Sequence, residues 1–111
     1  MIRRHLAATL ISIAALLTAC GKVPQVEPLS PNDTVLAFGD SLTFGTGAAP
    51  SESYPAQLGA LIGRKVINAG VPGEVSADGL ARLPELLEEH KPKLLILCHG
   101  GNDLLRKQPE A

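Results

Sequence analysis

Three short apolar runs, each followed by a glycine-rich or polar loop, constrain this chain more than any other feature. Thr34-Val35-Leu36-Ala37-Phe38-Gly39 is a continuous apolar run that reads as a strand buried on both faces, residues 65–69 read as a second short strand, and Leu94–Cys98 as a third, fully apolar one. Between them lie segments with helical spacing. Residues 53–62 carry Leu58, Leu61 and Ile62, with Pro55 acceptable in a first turn. A longer segment, which Ser76 can cap and which runs to about Lys91, shows an apolar face of Leu80, Leu83, Leu86 and Leu87; Pro84 should kink or split it. Strand–helix–strand–helix–strand predicts an α/β domain with a parallel sheet and right-handed crossovers. With the strands in the order 2-1-3, the loop after the first strand lies between the other two, where such sheets bind ligands. The same order leaves the third strand as an edge.

The residues before this domain carry other information. Arg3, Arg4 and His5 precede an apolar run over residues 6–17, and Leu17-Thr18-Ala19-Cys20-Gly21 follows. A charged start, a short apolar stretch and small residues at the junction make a secretory signal, and the run falls short of the ~20 residues of a membrane span. Leu-Thr-Ala-Cys resembles the lipobox of bacterial lipoproteins. The resemblance implies cleavage after residue 19 and lipidation of Cys20, hence a lipid-anchored protein of the bacterial cell envelope, on the periplasmic side. Gly21 is not the Asp that resembles an inner-membrane retention signal, which points to the outer membrane. An ordinary signal cut beside Ala19 is the plainer alternative. Pro24, Pro28 and Pro31 make residues 20–33 a semi-extended tether. The expected organisation is a signal peptide at 1–19, the tether at 20–33 and the α/β domain at 34–111.

Ten basic and eleven acidic residues are interspersed along the chain, which has no Trp, one Tyr and two Phe. Without a basic patch or stacking aromatics, nucleic acid is not an expected partner. Cys20 and Cys98 sit in contexts too different for a disulfide to be the natural reading, and Cys98, ending a buried strand, reads as a small core residue.

The loops carry the chemistry. In Gly39-Asp40-Ser41-Leu42 a serine stands just past a buried strand, at the mouth of the crevice. Such a serine attacks a carbonyl only if a base takes its proton and donors receive the oxyanion; otherwise it is a turn residue. No Gly-Lys-Ser/Thr follows, which excludes a phosphate-cradling P-loop. Gly73, in Gly70-Val71-Pro72-Gly73-Glu74, can offer a backbone amide or serve simply as a turn glycine. Asn102, in Gly100-Gly101-Asn102-Asp103, can donate its side-chain amide or cap the segment beginning at Leu104.

Phe38 to Leu42, Asn68 to Glu74 and Gly100 to Asp103, in this order, resemble the first three sequence blocks of the SGNH (GDSL) hydrolases. The branch it looks most like is the thioesterase–lysophospholipase–arylesterase group, where the helix after the second block often reads Gly-Leu-Ala-Arg-Leu-Pro, as residues 79–84 do here. The resemblance implies a three-layer, flavodoxin-like fold. It implies a serine ester hydrolase working through an acyl-enzyme without metal or cofactor, on small acyl esters, thioesters or lysophospholipids. It makes Ser41 the nucleophile and gives the oxyanion hole three donors: the Ser41 amide, the Gly73 amide and the Asn102 side chain. Gly70 is then a turn residue beside the site. The family's Asp-x-x-His, which supplies orienter and base, does not occur before Ala111, and the expectation is that the chain holds only the N-terminal part of the domain. His5 belongs to the signal segment, His90 reads as a solvated residue closing a helix, and His99 is near the crevice but does not come from the distant loop that carries the family base. A non-catalytic lipoprotein that keeps the fold and only binds ligands or partners is the alternative; an Asp-x-x-His downstream in the gene separates the two.

Overall fold

The computed structural model describes residue 21 and residues 23–109. The apolar run of the signal segment, Cys20 and the start of the tether lie outside the described residues. The order of elements is β1 (Thr34–Gly39), α1 (Ser41–Phe44), a 3₁₀ turn (Pro50–Glu52), α2 (Tyr54–Ile62), β2 (Lys65–Gly70), α3 (Ser76–His90), β3 (Leu94–Cys98) and α4 (Gly101–Leu105). The three strands form one parallel sheet, as the alternation of elements predicts, and their order is β2-β1-β3, the one that the family resemblance implies.

The central strand explains the layers. Alternate side chains of a strand face opposite sides of its sheet. Leu36 and Phe38 of β1 therefore join Ile67, Ala69 and Leu95 on one face, which Leu83 and Leu86 of α3 cover. Val35 and Ala37 point the other way and are also fully buried. On that side Gly59 of α2 rides close over Val66 of β2: a Cβ at residue 59 would lie 3.5 Å from its Cγ2. The sheet is thus sandwiched between α2 and α3.

Five local expectations need correction. Ser76 does not cap α3; it is the first helical residue, Val75 takes the cap position without a side-chain bond, and the carboxylate of Asp103 accepts from the Ser76 amide (2.9 Å) and hydroxyl (2.6 Å). The cap is supplied from α4, the short helix after β3, which pins the start of α3 to the carboxyl end of the sheet. Pro84 does not split α3, which runs unbroken for 15 residues. The carbonyl it leaves without an amide partner belongs to Leu80, a residue that is 71% exposed. Leu80 accordingly lies outside the buried stripe, which is made by Leu83 and Leu86. Cys98 is exposed rather than core, because among the described residues β3 pairs only with β1 and presents its other side as an edge. His90 is the last residue of α3, but its side chain is partly buried, 3.8 Å from Glu89.

Candidate active site

Strand register places the three predicted loops side by side. Gly39 is level with Gly70 on one side and with Cys98 on the other, so β1, β2 and β3 end together and deliver their loops to one edge. Ser41 opens α1 two residues beyond β1. Asp40, almost fully buried, turns the chain by accepting the Leu42 amide at 3.1 Å, and so acts as the cap of this short helix. The first amides of a helix lack intrahelical partners, which leaves the Ser41 N–H free of any obligation to the helix.

The loop after β2 begins at Gly70, where a Cβ would collide with the backbone of Phe44 at the end of α1. Only glycine lets the two loops close against each other there. Gly73 has a φ of +76°, the left-handed conformation of a turn glycine. The next residue, Glu74, is the hub of the site. Its backbone carbonyl accepts from Nδ2 of Asn102 at 2.9 Å, which joins the second loop to the third. Asn102 is the second residue of α4, whose cap is Gly100, so its amide is spent on Glu74 and not on capping. A primary amide has two N–H donors, and the bond to Glu74 commits one and orients the other. The first loop meets the third through Asp40, whose Oδ2 lies 3.6 Å from where a Cβ of residue 101 would stand.

The side chain of Glu74 is 6% exposed and ion-paired. Arg82 of α3 donates Nε to Oε1 at 2.7 Å and Nη2 to Oε2 at 2.6 Å, a two-pronged grip. Nη2 also donates to the carbonyls of Ala69 (2.9 Å) and Gly39 (3.4 Å), and the guanidinium carbon lies 4.2 Å from the centre of the Phe38 ring. His99 stacks on the same ring at 5.6 Å and places Nε2 3.0 Å from Oε2 of Glu74. The Gly100 amide donates to Nδ1 of His99, so the hydrogen-bond network assigns the ring proton to Nε2, which donates to Glu74. Both ring nitrogens are engaged, which leaves His99 no lone pair to accept a proton from Ser41.

Arg82 holds the Glu74 carboxyl below its ordinary value of 4.5 against the opposing effect of burial, with a further contribution from His99. A carboxyl depressed in the folded state stabilises it fully above that ordinary value and loses the contribution as pH falls through the lower, folded one. Asp103 is lowered too, by the hydroxyl and amide of Ser76. Among the described residues no group of three or more His, Cys, Asp or Glu is arranged to hold a metal ion.

Neither Glu74 nor Arg82 stood out in the sequence as a site residue. Arg82 did leave a trace, since it shares a helix face with Gly79, Leu83 and Leu86; a charge beside a buried stripe needs a partner.

Comparison with known proteins agrees with this geometry. Residues 37–111 match the GDSL-like lipase/acylhydrolase family. Thioesterase 1/protease 1/lysophospholipase L1 of Escherichia coli is 45% identical over 76 residues, covering 67% of this chain and 36% of that protein. Esterase TesA of Pseudomonas aeruginosa is 38% identical over 98 residues, covering 84% of this chain and 49% of its own length. The crystal structure of AlinE4, described as an SGNH-hydrolase family esterase, superimposes with a TM-score of 0.67 at 40% identity, covering 74% of this chain and 47% of that one. The chain thus spans half or less of the length of these relatives. Three blocks in register on a 2-1-3 sheet, matched in both sequence and structure, make this chain a member of the GDSL-like (SGNH) hydrolase family.

Proposed function

We propose that the chain supplies the nucleophile and oxyanion hole of a serine ester hydrolase that acts through an acyl-enzyme on small acyl esters, thioesters or lysophospholipids. The observation that carries the reading is the junction of the three loops at the carboxyl edge of the sheet, where Asn102 is tied to the residue after Gly73 and Ser41 opens the neighbouring helix. In this mechanism Oγ of Ser41 attacks the acyl carbon while a base removes its proton. The carbonyl oxygen becomes an oxyanion, received by the amides of Ser41 and Gly73 and by the free N–H of Asn102. Collapse expels the alcohol or thiol, which takes the proton back from the base, and leaves the acyl group on Ser41. Water then repeats the sequence and releases the acid. The base and its orienting carboxylate are assigned to the Asp-x-x-His of the family pattern.

The relatives support the substrate class by their names: a thioesterase and lysophospholipase, and an esterase. A fluorophosphonate should label Ser41 of the full-length protein that carries this chain; labelling at another residue, or none, overturns the assignment. Removing one oxyanion donor in comparable sites costs about 10²–10³ in turnover. Asn102→Ala is therefore expected to lower kcat by that factor with KM little changed, and a kcat within twofold of the parent would remove Asn102 from the oxyanion hole.

The location is part of the same proposal. Cys20 is read as acylated after signal cleavage, which would tether the domain to the envelope membrane from the periplasmic side, in the outer membrane. Several acyl chains anchor a protein firmly where one would not. Intact mass analysis of the mature protein should find a diacylglyceryl group on an N-terminal Cys20; a mature chain that starts there or later without lipid rules it out.

A further inference from the structure

The function proposed above uses Ser41, Gly73 and Asn102, and leaves unexplained why an arginine, a glutamate and a histidine are packed together behind them. Glu74 touches both other parts of the oxyanion hole: it follows Gly73 directly, and its carbonyl accepts from Asn102 at 2.9 Å. Its backbone has little else to fix it beyond the turn bond from its amide to Val71 O at 3.2 Å. Gly73, at φ +76°, is the most permissive residue type in the loop. The loop is held from behind. Arg82 occupies both carboxylate oxygens of Glu74, and the same guanidinium reaches Gly39 O, two residues before Ser41, and Ala69 O, at the end of β2. His99, on the chain leading to Asn102, takes the remaining approach to Oε2. α3 makes room for this: a Cβ at Gly79 would stand 2.7 Å from Nε2 of His99 and 3.3 Å from Oε2 of Glu74. One planar cation thus joins the backbones of the first two loops and, through Glu74 and His99, reaches the third.

We infer that Arg82 is a positioning residue for the oxyanion hole, acting through Glu74 to set the Gly73 amide and the Asn102 side chain relative to Ser41. This rests on the functional reading above and adds a role to it. The geometry demands arginine. A lysine at the same place carries the charge but is a point donor, unable to bridge both carboxylate oxygens and two carbonyls in one plane. Its Glu74 would stay paired yet free to swing, and the donors with it.

The test uses the full-length protein carrying this chain, with kcat expressed per fluorophosphonate-reactive site so that unfolded molecules do not count. Arg82→Lys is expected to lower kcat roughly 10- to 100-fold, the scale set by a misplacement of about 1 Å, with KM within about twofold. Glu74→Gln, nearly isosteric, should fall in the same direction and serves if the lysine variant does not fold. The deciding measurement is the cycle with Asn102→Ala. If Arg82 acts through the oxyanion donors, Arg82→Lys should cost markedly less once Asn102 has been removed, whereas a merely structural role gives independent, multiplying losses. Parent-like kcat in both variants, or full multiplicativity in the cycle, overturns the inference. A parent protein without Ser41-dependent turnover brings down the functional reading itself, and this inference with it.

Discussion

Ser41→Ala in the full-length protein is expected to lower turnover of a short p-nitrophenyl ester by a factor on the order of 10⁶, with the fold intact. The size follows from what the hydroxyl does and what remains without it. The proposed oxyanion donors belong to backbone and to Asn102, and none depends on the Ser41 side chain, so they survive the change. A donor cage alone leaves only about 10³–10⁴ of the acceleration over water in well-studied serine hydrolases. The fold should be indifferent, because Ser41 is partly exposed and its cap function belongs to Asp40, whose Oδ1 takes the Leu42 amide at 3.1 Å. Thermal unfolding measured beside the kinetics should therefore be close to the parent's. A variant that unfolds like the parent and turns over like it would remove Ser41 as nucleophile.

How much of this was legible beforehand varied with the physics behind each residue. β1 could be read to the residue, because a strand buried on both faces needs an unbroken apolar run and Val35 to Phe38 is one. The parallel sheet followed from the alternation of elements, whereas its 2-1-3 order came with the family resemblance and not from any single residue. Cys98 and Leu97 misled the reading, since an apolar strand looks the same whether its outer side is covered or not; Leu97 is 62% exposed. Ser76 lost its expected cap role, and the cap alternative for Asn102 failed, for a related reason. Capping rules look a few residues along the chain, while the true partners, Asp103 for Ser76 and Glu74 for Asn102, lie 27 and 28 residues away. The Arg82–Glu74 pair was hidden by distance of a milder kind, eight residues across a turn and a helix start.

The edge expected of β3 in this strand order also decides how residues 21–111 behave as a polypeptide by themselves. It is expected to be inactive, to unfold without cooperativity and to self-associate. The chemical reason is the lack of a base. His99 has both ring nitrogens engaged, and His90 closes α3 just ahead of the start of β3, at the opposite end of the sheet from Ser41. Without a base an alcohol keeps its high pKa and remains a weak nucleophile. The structural reason is uncovered apolar surface. Leu97 of β3, with Leu80, Leu83, Phe38 and Leu104, lines an open groove of about 880 Å³. Leu104 is 81% and Leu105 82% exposed, and among the described residues β3 pairs only with β1, which leaves its outer edge open. Parallel sheets are found with both faces covered, and a flat apolar edge recruits other chains. A domain this small buries a lower share of its unfolded surface than a larger one, so little stability is held in reserve against that recruitment. Light scattering, thermal unfolding and ester turnover on the unlipidated polypeptide measure all three expectations together. A monodisperse, cooperatively unfolding protein with Ser41-dependent turnover would overturn them, and would require His99 to abandon its bonds with Glu74 and Gly100 and serve as the base.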